Sequence, residues 1–234
     1  MNTVEHIISS SSDFYKELQD DKNGRYRSWE HCYTAFCEAR KGNYDEDYLS
    51  LMLAFYLASW GMYRGSSFLL QKDYKIHVPV VRELMKEKYD CLIGIPCVEY
   101  RKPEIQSLVF NDLHNTLKSY YRKVRSSVVE KEPAQDISDT LITKILMGTL
   151  ACVPAYDRYF IAGLKHEKVS TGNYNANSIL KIADFYEKHE KKLEEARKKL
   201  KVGRRDYPQM KMIDMGFWQI GFELDTNKGL QNAH

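Results

Sequence analysis

What the chain has little of narrows it quickly. Proline is sparse, with six in 234 residues. Strand-like stretches are scarcer still, limited to Lys75–Val81 and Leu92–Tyr100. An all-β sandwich or barrel needs many short strands at regular spacing and is excluded. Five cysteines, Cys32, Cys37, Cys91, Cys97 and Cys152, are an odd count in a chain that is not cysteine-dense. They make a poor disulfide framework and match no zinc-ligand spacing, so reduced core thiols are expected. Neither sign of charge dominates: 35 Lys+Arg against 32 Asp+Glu leave +3, too little to name a partner. A long uninterrupted apolar run is also missing. Leu49–Leu70 comes nearest but is broken by Ser50, Ser59, Gly61, Arg64, Gly65, Ser66 and Ser67, whereas a membrane span needs about 20 predominantly apolar residues. The N-terminal stretch lacks the basic-then-apolar order of a signal peptide. A soluble, cytoplasmic protein without a membrane partner is therefore expected.

Chemical motifs are few. The histidines, His6, His31, His77, His114, His166, His189 and His234, form no HxxxH or HExxH group, and no metal is predicted. A phosphate-cradling glycine loop and a GxSxG elbow are both lacking, so no cofactor or serine nucleophile is called for.

What is present is helical periodicity. Ser28 is placed to cap a helix carrying Trp29, Tyr33, Phe36 and Cys37. Asp45 and Asp47 precede an apolar helix from about Tyr48, which Gly61 and Gly65 break near Arg64. Pro79 opens a segment continuing to Leu92. Pro103 starts a helix to about Ser126 with the stripe Val109, Leu113, Leu117, Tyr120, Val124. A polar loop over Ser127–Asp136 leads to Ser138, the cap of a helix over Asp139–Leu150. A short helix carries Tyr156–Ala162, with Gly163 as its stop. Ile179, Ile182, Tyr186, His189, Leu193, Ala196 and Leu200 alternate by three and four, predicting one helix to Lys201. Pro208 opens the last. These signals give an all-α fold, a single-domain irregular helical bundle over residues 1–225, with a loose C-terminal tail over 226–234.

One stretch carries charge in an apolar setting. Met147–Gly163 is almost wholly apolar except for Asp157 and Arg158. An unpaired buried charge is strongly unfavourable. The lone Arg64 of Trp60–Ser67 is the expected partner of Asp157, above a pocket walled by Trp60, Tyr63, Tyr156 and Tyr159. In that reading Asp157 and Arg64 are the catalytic pair and Arg158 a binding residue.

The segment Val153-Pro154-Ala155-Tyr156-Asp157-Arg158-Tyr159-Phe160 resembles the part of helix-hairpin-helix DNA glycosylases in which an Asp begins a helix after a Val-Pro-type lead. The likeness covers residues 141–164. It implies that Asp157 supports charge developing on the sugar as the base leaves. No Gly-x-Gly hairpin precedes it, and Arg-Tyr-Phe follows Asp157 where that family usually has Thr-His. Ala58–Ser67 is similar to segments of uncharacterised bacterial proteins, which implies no chemistry.

Two basic stretches complete the candidates: Lys118, Arg122, Lys123 and Arg125 on one helix, and Lys191–Arg205 with Lys198, Lys199, Arg204 and Arg205 on another. Basic groups release counterions from phosphates, and neighbouring aromatics stack on unpaired bases. The leading expectation is a non-enzymatic helical protein that binds nucleic acid through these helices. The alternatives are an enzyme acting on nucleic acid or nucleotide with Asp157 in its site, and a homo-oligomer formed through the Met- and Trp-rich helix over 208–224.

Overall fold

The computed structural model describes residues 2–128 and 136–231. The chain is all-α. Its helices are α1 (Thr3–Asp20), α2 (Ser28–Ala39), α3 (Glu46–Ser59), α4 (Val78–Leu84), α5 (Pro103–Gln106), α6 (His114–Ser126), α7 (Asp139–Thr149), α8 (Arg158–His166), α9 (Ala176–Lys188), α10 (Glu190–Arg197) and α11 (Gln209–Gln231). Short 3-10 turns link several of them. A π-helical stretch, Ser107–Leu113, joins α5 to α6, so the predicted helix from Pro103 to Ser126 is continuous but widened at its middle.

Most of one helix and the first half of another are buried on all sides. Every residue from Leu141 to Thr149 of α7 is buried, and so is every residue from Met210 to Trp218 of α11. A helix apolar all round belongs in the interior, and the others wrap these two. Helix α11 packs on α8 and α1, while α7 packs on α2, α3 and α6. The consequence is electrostatic. Lys144, Lys211 and Asp214 ride on the two central helices and are almost wholly buried.

Close helix approach is set by glycine. A Cβ on Gly163 of α8 would lie 2.0 Å from the Phe217 carbonyl oxygen of α11. One on Gly221 of α11 would lie 1.9 Å from that of Tyr159. The two backbones therefore touch where they cross, and Gly163 serves packing rather than ending the helix.

Several expectations change. The β-like stretches Lys75–Val81 and Leu92–Tyr100 form 3-10 turns and α4, because their apolar residues pack singly into the core instead of pairing along a ladder. The described strands are Lys201–Val202 and Arg205–Asp206, an antiparallel pair turning at Gly203, whose φ is +58°. The heptad-like seam runs through two helices, broken at His189 (φ −120°). Ser28 begins α2 without capping it. Helix α11 continues to Gln231 where a tail was expected, and residues 232–234 lie outside the described residues, as do 129–135 of the predicted loop. Met210, Met212, Met215, Phe217 and Trp218 fill the chain's own core, which removes the surface expected to form a homo-oligomer. No described helix is long and apolar enough to cross a membrane.

Candidate functional site

Asp157 is held by a buried connection whose polar groups are satisfied by side chains. Helix α7 ends with Ala151 in the left-handed region, φ +50°. From there to α8 the chain is extended and buried, so its peptide groups need partners other than water. Tyr156 N–H donates to Thr143 Oγ1 (2.9 Å), Thr140 Oγ1 donates to the Tyr156 carbonyl (2.8 Å), and Ala155 N–H donates to Asp214 Oδ1 (2.8 Å). Tyr100 hydroxyl donates to the Cys152 carbonyl. This scaffold delivers Asp157 to the N-terminus of α8, where Oδ1 accepts from Tyr159 N–H and Phe160 N–H, both at 3.1 Å.

The other carboxylate oxygen faces a buried cation. Asp157 Oδ2 lies 3.3 Å from Lys144 Nζ and accepts from Trp218 Nε1 at 3.3 Å. Lys144 Nζ also donates to the Trp60 carbonyl at 2.7 Å. Burial pushes the Lys144 amine below the usual lysine range, and the adjacent Asp157 carboxylate partly restores it. A second buried pair sits behind: Lys211 Nζ lies 3.0 Å from Asp214 Oδ2 and rests over the rings of Trp29 and Trp60, at 4.8 and 5.3 Å. Burial raises the Asp214 carboxyl, against the pull of Lys211.

The Lys144–Asp157 pair opens onto a cavity of about 280 Å3. The two side chains are 6% and 11% exposed, so they form a floor and not a sealed core. Tyr26, Trp60, Tyr159, Trp218 and Phe222 wall the cavity, and Arg25, Arg64 and Arg158 stand around it. Trp218 stacks on Phe222 (centroids 5.2 Å, 7°) and meets Trp60 edge-on at 5.9 Å. The buried indole N–H of Trp60 has no hydrogen-bond partner. Larger grooves exist, of about 620 and 800 Å3. Chemistry, not volume, singles out this one.

The predicted pair is thus corrected in part. Arg64 and Asp157 line the same cavity, yet the ion partner of Asp157 is Lys144, one helix away on the buried α7. Arg64 is exposed and lies against Gly61, so solvent rather than a carboxylate meets its charge. Trp60 and Tyr159 take their predicted places. Tyr63 does not: its hydroxyl bonds His77 Nε2 at 2.7 Å. Tyr156 is buried against Ser178 at 2.7 Å. Arg158 is exposed, stacks on the Tyr159 ring (4.3 Å) and reaches Asp225 at 3.6 Å.

The basic helices separate. On α6, Lys118 meets Asp136 (3.5 Å) and Asp139 (3.3 Å), Arg122 meets Asp136 (2.8 Å), and Arg125 donates to the Asp136 carbonyl (3.3 Å), while Lys123 stays exposed. Arg122 holds the Asp136 carboxyl well below its usual range. Three of the four cations predicted to grip phosphate are therefore engaged within the chain. Arg205 pairs with Glu38, whereas Lys198, Lys199 and Arg204 are exposed.

Sequence reasoning missed Lys144, Lys211, Asp214, Trp218, Tyr26 and Arg25. The test that found Asp157, a charge alone in an apolar run, also marks Lys144 within Leu141–Leu150 and Lys211 and Asp214 among the methionines. Among the described residues no group of three His, Cys, Asp or Glu side chains could hold a metal ion. In comparisons with known proteins, no family model, curated protein or solved structure matches the chain.

Proposed function

We propose that this chain is an enzyme acting on a nucleic acid or nucleotide, and that the Asp157 cavity receives one base. The observation that carries the reading is a buried Lys–Asp pair forming the floor of an open, aromatic-walled cavity. Such a pair is not favoured for stability alone, since apolar residues of the same size serve the core as well or better. Chemistry gives it a use. The volume suits a single ring system rather than a large cofactor. Trp60, Trp218, Phe222 and Tyr26 offer stacking faces, the mode by which an unstacked base is held. The arginines at Arg25, Arg64 and Arg158 suit phosphates flanking it.

The likeness of residues 153–160 to helix-hairpin-helix DNA glycosylases points the same way. In that reaction the bond between base and sugar breaks, the base leaves with the bonding pair and is protonated by water, and the remaining hydroxide adds to the sugar carbon; the Asp157 carboxylate would stabilise positive charge growing on the sugar. The binding-only reading has less support, because most of the α6 cations are internally paired; exposed Lys198, Lys199 and Arg204 would add phosphate contacts.

The test uses single-stranded oligonucleotides carrying normal, alkylated or oxidised bases, alongside free nucleotides. Base stacking should quench tryptophan fluorescence, and chromatography should detect released base. Asp157→Asn should slow release by about 100-fold or more. If no base-bearing ligand quenches the fluorescence or loses its base, the reading is wrong.

A further inference from the structure

A second charged cavity lies beyond the other end of α8. This groove of about 800 Å3 is bounded by the first turn of α1, the α8–α9 connection and one face of α9. Its charge is lopsided. Lys168, Lys181, Lys188 and Lys192 all border it. The bordering acids are already engaged: Glu167 accepts from His6 at 2.8 Å, and Asp184 pairs with Arg101 at 2.7 Å. Lys192 has only a loose contact to Glu5, at 3.8 Å. Lys168, Lys181 and Lys188 have no ion pair among the described residues. His189, in the same groove, is pushed below its usual range by burial and then by the charges of Lys188 and Lys192.

Backbone conformation adds an independent sign. Lys168 has φ +57°, in the left-handed region that side chains rarely adopt. It follows the last turn of α8, where Val169 N–H closes the helix on the Leu164 carbonyl at 3.2 Å. Glycine is the unstrained residue for such a position. The chain places a lysine there, on the border of a groove that three other lysines share.

We propose that this groove is a second ligand site, one that takes a chain of phosphates: a free polyphosphate or the backbone of a nucleic-acid strand. From Lys181 to Lys188 helix α9 rises about 10 Å, and Lys192 lies on α10 beyond the break at His189, a span that suits several phosphates rather than one. Val4, Val169 and Phe185 line its apolar floor, and the four lysines around it are exposed and open to a ligand. The site stands on its own observations and does not require the Asp157 cavity to be catalytic.

The experiment is calorimetric titration of the full chain with tripolyphosphate and, separately, with a 4-nucleotide single strand, whose length of roughly 10–14 Å matches that reach, each over a salt series. Both ligands should bind more weakly as salt rises, and Lys181→Gln/Lys188→Gln should weaken binding about tenfold. Lys168→Gly separates function from folding. It should raise the melting temperature by about 2–4 °C through relief of strain and still weaken tripolyphosphate severalfold. Loss of both ligands in the variants identifies a strand-binding groove. Loss of tripolyphosphate alone identifies a site for free polyphosphate. If neither ligand binds, or the variants bind like the parent, the proposal is overturned.

Discussion

Lys144 and Asp157 hold one another where a lone charge is strongly unfavourable. Asp157 also caps α8 through Oδ1, so its two oxygens do separate work. Asp157→Ala removes both functions and leaves a buried ammonium without a counter-charge, which should cost about 3–5 kcal/mol in urea denaturation. The double variant Lys144→Met/Asp157→Ser keeps a capping hydroxyl and removes both charges. It should recover most of that loss; a double variant as unstable as Asp157→Ala would show that the pair's charge is not the issue. His77 makes a pH prediction at the same scale. It is buried between Tyr63 and Tyr121, whose hydroxyls meet Nε2 at 2.7 Å and Nδ1 at 2.6 Å, and burial lowers its pKa from 6.5 to about 4. Between those values the unfolded chain takes up a proton that the folded chain refuses. Stability is therefore full above about pH 6.5 and falls as pH drops toward 4, by about 3 kcal/mol from this group. Denaturation midpoints at pH 7 and 4.5 should show the fall, and His77→Gln should flatten it.

At the scale of elements, the α8–α11 crossing decides whether the site exists. Trp218 reaches Asp157 only because Gly163 and Gly221 let the two backbones touch. Gly221→Ala places a methyl group 1.9 Å from the Tyr159 carbonyl oxygen, which no rotamer can relieve. It should destabilise by about 3 kcal/mol or more and weaken ligand quenching of Trp218. Gly42→Ala, with nothing within 4 Å, should be nearly neutral in the same thermal melt. Much of this framework was legible in the sequence. The cap at Ser138, the aspartates leading into α3 and the breaks at Gly61 and Gly65 are local chemistry, readable wherever short-range bonds fix the backbone. The split at His189 was not legible, since the three-four spacing of apolar residues runs straight through it. The site was half legible. Asp157 stood out as a charge in an apolar run, but its partner depends on which helix is buried beneath it. Distance in sequence says nothing of that, and Arg64, another lone cation in an apolar run, was the natural choice. The partners of Lys118, Arg122 and Arg125 were hidden for a related reason: Asp136 and Asp139, whose carboxylates pair with Lys118 and Arg122, lie beyond the end of their own helix, and it is the Asp136 carbonyl that accepts from Arg125.

For the molecule as a whole, the two buried pairs sum to no net charge, and the chain carries only +3. The field that a phosphate meets at the Asp157 cavity therefore comes from its arginines, not from its floor. Arg25 is braced on the Tyr26 ring (4.6 Å) and donates to the Tyr26 hydroxyl at 2.6 Å, Arg158 is braced on Tyr159, and Arg64 is exposed. This division separates two kinds of effect. Replacing Arg25 or Arg64 by Gln should weaken oligonucleotide binding at every sequence and lower the salt slope by about one for each phosphate left without its cation. Asp157→Asn should leave the salt slope unchanged while removing chemistry, because in the proposed orientation Asp157 would meet the base and sugar rather than the phosphates. Fluorescence titrations from 50 to 300 mM salt, about 14 to 6 Å in Debye length, would read both slopes. A slope that changes with Asp157→Asn but not with the arginine variants would place the phosphates on the cavity floor and reverse the orientation of the bound ligand.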